Sequence, residues 1–212
     1  MKLKLTALLA LTVAGASAQT AVSLRNFFGP TEGYPIVDNT GAVIDASELS
    51  FEAGTISDAG ALSALTAAQD AEAIALFTPA TSAGGGAGIA NFAGLFNGST
   101  PADDGNGLDG QDLFIMVSRT VGGSVTDVMI FDAGTFPTQS AGNAATGLEV
   151  RDASDVVFGG FVSPVSDDSA LPGPLQGNYT TGLSFSGDVI PEPSTSLLAA
   201  LAGLGLVARR RR

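Results

Sequence analysis

The sequence predicts a mainly β fold: one antiparallel β-sandwich-like domain carrying a single helix at about 58–77. An N-terminal signal segment and a C-terminal hydrophobic helix flank it. Three observations point there. Short apolar runs alternate with turns throughout the middle of the chain, which holds many of the 28 glycines. Two of those runs face each other across a Gly-Gly pair, the pattern of a hairpin. A 45% apolar content over 212 residues, with only 14% charged, is enough for one core and argues against disorder.

Taken in order, the elements have local causes. Lys2 and Lys4 precede an apolar run from Leu5 to Gly15, followed by Ala16-Ser17-Ala18. Charge, apolar stretch and small-x-small residues in that order make a secretory signal, cleaved after Ala18 to leave Gln19 at the mature end. Leu49, Phe51 and Ala53 alternate with Ser50 and Glu52, as a half-buried strand requires. Ser57-Asp58 caps an Ala-rich helix that Pro79 stops, its apolar side being Ala61, Leu62, Leu65, Ala68, Ala75 and Leu76. Thr81–Gly88 lacks alternation and reads as a loop.

The runs at Asp112–Thr120 and Val125–Asp132 form the strongest hairpin, turning at Val121-Gly122-Gly123-Ser124. A second hairpin is expected between Leu148–Arg151 and Val156–Val162. A connection at Pro164–Gly177 then leads to a last strand alternating from Tyr179 to Ser186. Near the mature start, Arg25–Pro35 sets aromatics beside Gly and Pro. Such a segment either pins the first strand to the core, the reading favoured here, or makes a binding loop.

The C-terminal segment closes the chain. Ile190-Pro191-Glu192-Pro193 holds an extended stretch, then Leu197–Ala208 is apolar, and Arg209, Arg210, Arg211 and Arg212 follow. Twelve residues rising about 1.5 Å each reach about 18 Å, short of the roughly 30 Å of a hydrocarbon core. Four arginines would hold that end in the cytoplasm. The segment suits transient membrane anchoring, and the divisions are 1–18, 19–188 and 189–212.

Charge is segregated in the same way. The whole chain carries −12, but residues 19–190 hold three arginines against twenty acids, a net −17. Nucleic acid is excluded as a partner because its phosphates would meet an acidic body. The chain has no His and no Cys, which removes Ser-His-Asp and Cys-His nucleophile pairs, thiolate chemistry and ordinary zinc sites. Gly84-Gly85-Gly86-Ala87-Gly88 has no following Lys and is not a phosphate loop.

Two oxygen-based chemistries remain. Asp104, Asn106 and Asp109 lie in a tight Gly-rich run and could bind Ca²⁺ weakly, although Leu108 breaks the usual calcium-loop spacing. An ordinary acidic turn is the favoured reading. Paired carboxylates at Asp103/Asp104, Asp152/Asp155 and Asp167/Asp168 could serve a glycan hydrolase, but all sit in turn-like contexts. The chain has no Trp and only Tyr34 and Tyr179 to stack on sugars. No enzyme is expected, and no cofactor beyond that calcium.

The C-terminal arrangement resembles the PEP-CTERM sorting signal of diderm bacteria that make extracellular polysaccharide. Pro191, Glu192 and Pro193 match its motif, Leu197–Ala208 its short transmembrane stretch, and Arg209–Arg212 its basic cluster. Ile190 stands where that family usually has Val. The resemblance implies processing by an exosortase, a membrane cysteine protease or transpeptidase, and delivery to the outer surface or extracellular matrix. Expected partners are therefore signal peptidase, exosortase and, as an alternative role, extracellular polysaccharide. The expected function is structural or adhesive, with calcium or polysaccharide binding as the alternative and glycan hydrolysis behind both.

Overall fold

The computed structural model describes residues 19–66, 68–80, 88–103, 107–137 and 145–185. Their elements run β1 (Gln19–Arg25), β2 (Phe27–Gly29), β3 (Glu32–Gly33), β4 (Ile36–Val37) and β5 (Leu49–Ile56). Two helices follow, α1 (Ala59–Ala64) and α2 (Asp70–Leu76), then β6 (Phe77–Pro79), β7 (Gly88–Ile89) and β8 (Asn97–Asp103). The second half holds β9 (Asp112–Val121), β10 (Ser124–Thr135), β11 (Ala145–Glu149), β12 (Val156–Phe158), β13 (Gly160–Val162) and β14 (Gly182–Ser184). The fold is mainly β, as expected.

Three layers stack on one another. A six-stranded sheet, ordered β12-β10-β9-β5-β6 with β7 also on β5, forms the middle. Leu113, Ile115 and Val117 of β9, with Phe51 and Met129, face the three-stranded sheet β11-β1-β8 and pack with Val22, Leu24 and Ala102. On the opposite face, Phe114, Met116, Val128 and Ile130 pack with Leu62 of α1, Ala73 of α2 and Phe77. A strand covered on both faces needs apolar residues at every position, which accounts for the unbroken run Leu113–Val117.

The first hairpin forms at the expected place. Ser124 pairs with Val121, leaving Gly122 and Gly123 as a two-residue turn at φ +61° and +84°. Positive φ at both positions is what a turn matching strand twist demands, and glycine adopts it without steric cost. Strand β5 likewise buries Leu49, Phe51 and Ala53 while Ser50 and Glu52 stay half-exposed.

Three elements differ from their sequence expectations. The helical segment is divided in two. Asp58 caps α1 by accepting from the Ala61 N–H at 2.8 Å, but Leu65 is extended at φ −71°, ψ +148°. Gln69 Oε1 then takes both the Thr66 N–H (2.9 Å) and its hydroxyl (3.0 Å), closing a turn. The break lets both Leu62 and Ala73 reach the sheet, which outweighs the weak cooperativity of so short a helix.

The expected second hairpin does not form. β11 instead pairs parallel with β1, from Ala21↔Ala145 to Arg25↔Glu149. β12 joins β10 and β13 joins β14. Between them Asp155 Oδ2 accepts from the N–H groups of Arg151 (2.8 Å) and Asp152 (3.1 Å), turning the chain from one sheet to another. The last strand is shorter than expected. It comprises Gly182–Ser184, antiparallel to β13 and parallel to β4, because Tyr179 leaves the strand to fill a second apolar cluster with Val37, Leu95 and Leu175.

Among the described residues no helix is long and apolar enough to cross a membrane. Of the expected loop Thr81–Gly88, residues 81–87 lie outside those residues and Gly88 begins β7 instead; the segment 189–212 also lies outside them.

Candidate functional site

The predicted site residues separate quickly. Asp104 and Asn106 of the calcium reading lie outside the described residues, as do Ala16, Ala18, Pro191, Glu192, Pro193 and Arg209, Arg210, Arg211 and Arg212. Asp109 is exposed in the turn before β9, between Gly107 at φ +77° and Gly110 at φ +72°. No group of three His, Cys, Asp or Glu side chains among the described residues could hold a metal ion. Gln19 is the first residue of β1, the central strand of its sheet.

Of the carboxylate pairs, Asp103 ends β8 with Asp104 outside the described residues, while Asp152/Asp155 and Asp167/Asp168 bond main-chain N–H groups of their own loops. Asp152 Oδ1 accepts from the Ser154 N–H at 2.9 Å and also from its hydroxyl. Asp167 Oδ1 accepts from the Ser169 N–H at 2.9 Å, and Asp168 from the Gly177 N–H. Asp45 takes the Ser47 N–H (2.8 Å) and hydroxyl (2.7 Å). These bonds hold the pKa values of Asp45, Asp152 and Asp167 below the usual carboxylate range. Burial works against ionisation at Asp38, but bonds from Thr40 and Ala42 and the charge of Arg119 outweigh it and lower its pKa too. Asp70 moves the other way: desolvation raises its pKa despite a bond from the Val128 N–H, with Asp127 and Glu72 adding repulsion.

These shifts have a sign for stability. Groups with lowered folded-state pKa stabilise the fold above their unfolded value and lose that contribution as pH falls through the folded one. Asp70 contributes oppositely, favouring the fold as it protonates. With the lowered groups in the majority, the urea midpoint is expected to stay level from neutral pH to about 5 and to decline below about 4. Asp167→Asn should flatten part of that decline. A midpoint that rose on acidification would contradict it.

A groove of about 490 Å³ opens elsewhere, its lining including Phe28, Glu32, Tyr34, Arg151, Asn178 and Tyr179, together with Thr31, Thr180 and Thr181. Its walls come from distant parts of the chain. The β2–β3 hairpin supplies Phe28 and Glu32, and the Tyr34 hydroxyl donates to the Arg151 carbonyl at 3.1 Å. The Tyr179 hydroxyl donates to the Gly29 carbonyl at 3.3 Å, and desolvation raises its pKa. Each tyrosine therefore ties one wall to the hairpin or its neighbour. The Tyr34 ring also meets Phe161 edge-on at 5.1 Å.

Charge is concentrated here too. The Arg151 guanidinium lies over the Phe28 ring at 4.1 Å, and that of Arg25 is 5.2 Å from the same ring. Both arginines bond Glu149: Arg151 through Nε (3.0 Å) and Nη2 (2.7 Å), Arg25 through Nη1 (3.4 Å). The hydrogen bond from Arg151, with both positive charges, lowers the Glu149 pKa. Two of the three arginines between Gln19 and Phe185 thus converge beside one groove. Their convergence rests on β1 and β11 pairing in parallel, which sets Arg25 directly beside Glu149.

Sequence reasoning singled out Arg25–Pro35, which holds Thr31, and both tyrosines, but did not bring Arg151, Asn178, Thr180 or Thr181 to a shared site with them. The segment is held to the rest of the fold, and its binding-loop reading gains a groove wall without a ligand to test it. It is pinned by two tyrosine hydroxyls, and it forms one wall of the groove.

The model of the PEP-CTERM protein-sorting motif matches residues 189–212. The match supports the reading of this chain as an exosortase substrate, and such a signal implies export and sorting to the cell surface. No curated protein matches the chain, and no solved structure does either.

Proposed function

We propose that the protein, once exported and sorted by an exosortase, acts outside the cell without catalysis, in a structural or adhesive role at the surface or in the extracellular matrix. The observation that carries this reading is the sorting motif at residues 189–212. The residue inventory supports it, since a chain without His or Cys lacks the usual nucleophile–base pairs. Cutting after Ala18 would leave Gln19–Arg25, the strand that β8 and β11 both pair with, in the mature protein. The C-terminal segment then holds the protein in the membrane only until it is processed.

Mass spectrometry of the protein isolated from cells tests this directly. The expected mature form begins at Gln19 and lacks the Arg209–Arg212 cluster. Surface protein that retains Arg212 would overturn exosortase processing and leave a plain tail anchor.

A further inference from the structure

The groove beside Arg151 is lined by residues outside the sorting motif, and its chemistry points to a ligand. We propose that it is a binding site for uncharged polysaccharide, holding a short run of neutral sugars. This rests on the reading of the protein as a non-catalytic extracellular protein and gives its adhesive role a ligand.

Size and lining come first. A volume of about 490 Å³ falls within the range of small-molecule clefts, and the groove is open enough for a chain to enter and leave. Its lining includes three threonines, Asn178, Glu32 and Arg151, with the Asn178 Nδ2 also donating to the Pro174 carbonyl at 3.0 Å. That set mixes donors and acceptors, which suits sugar hydroxyls, because each of those both donates and accepts. The guanidinium over the Phe28 ring, 4.1 Å from its centroid, joins two planar groups at the groove. Such planar surfaces complement the face of a sugar ring.

The charge balance selects among polysaccharides. Both arginines at the site already bond Glu149, and Glu32 adds a second carboxylate to the lining. Their positive charge is thus matched locally, while residues 19–190 carry a net −17. A polyuronate would find no surplus of positive charge at the groove and a repelling body around it. A neutral polymer meets neither obstacle. The tyrosine hydroxyl bonds to Arg151 and Gly29 fix the walls beforehand, so little ordering remains to oppose binding.

The experiment uses the full-length chain purified in detergent. Affinity electrophoresis is run through gels containing dextran, laminarin or galactomannan, and through gels containing polygalacturonate. Retardation by at least one neutral polymer is expected, with little dependence on salt. Arg151→Ala and Asn178→Ala should each weaken it about tenfold, the scale of losing one strong polar contact. Asn39→Ala, an exposed change outside the groove, should leave it unchanged. Thermal melting verifies that each variant is folded, and Thr180→Ala replaces any that is not. The proposal is overturned if no neutral polymer retards the protein, if polygalacturonate binds more tightly, or if groove variants bind like the parent. Those failures leave the termini of the mature protein untouched, so the sorting reading stands or falls separately.

Discussion

Replacing Asn26 with alanine is expected to destabilise the protein by about 4 kcal/mol, read as a fall in the urea midpoint at unchanged slope. Asn26 sits between β1 and β2 and is 1% exposed. Its Nδ2 donates to the carbonyls of Tyr34 and Gly94, both at 3.0 Å, and its Oδ1 accepts from the Phe96 N–H at 2.6 Å. Its main chain joins the same two segments, through Asn26 N–H to Phe96 O at 3.3 Å and Tyr34 N–H to Asn26 O at 2.9 Å. Alanine keeps the main-chain bonds, and the Gly94 carbonyl keeps the Ile36 N–H at 2.8 Å, but the buried Phe96 N–H is stranded and the half-buried Tyr34 carbonyl loses its donor, each costing about 1–3 kcal/mol. Domains are typically stable by only about 5–15 kcal/mol, so the variant would be close to unfolding at 37 °C. Asn26→Asp tests the cause. It keeps the acceptor, loses both donors and buries a charge, so at neutral pH it should be no better than alanine. A loss below about 1 kcal/mol for Asn26→Ala would show that water replaces the side chain.

The second large effect is expected at Phe51, where alanine should cost about 3–5 kcal/mol. Phe51 is fully buried in the middle layer, meeting Phe96 edge-on with ring centroids 5.3 Å apart. Its ring also occupies the space where a Cβ on Gly88 would lie. Truncation therefore opens a cavity between the two sheets, walled by residues held on separate strands that cannot easily close over it. The Gly88 contact supplies an internal control. Gly88→Ala alone should destabilise by clashing with the ring, and the double variant should lose less than the two single losses added together. Additive losses would mean that the ring moves aside and that the packing is looser than it looks.

Several features of this fold were legible locally. Asp58 caps a helix because its own side chain reaches an N–H three residues on. Gly122-Gly123 turns a hairpin because only those two residues must adopt positive φ. Alternation at Leu49–Ala53 reports a buried face of β5 directly. The sorting motif is also a linear signal, which is why the reading of Pro191–Pro193 and the terminal arginines agrees with the family match over 189–212.

The rest depended on partners far along the chain. The stretch after Leu148 has the same β propensity whether it folds back on Val156–Val162 or lies beside β1. The parallel pairing with Ala21–Arg25 is settled by what else those sheets must cover. Asn26 reads as an ordinary polar turn residue until Gly94 and Phe96 are brought to it. Phe28, Arg151 and Asn178 carry no shared spacing, and they form a groove only because the hairpin, the end of β11 and the loop before β14 meet in space. Residue types and short-range order were enough to determine an exported, mainly β chain with an acidic body and no His or Cys chemistry. Where its few aromatic and cationic side chains gather was decided by the tertiary structure alone, since long-range sheet pairing leaves no periodic trace in sequence.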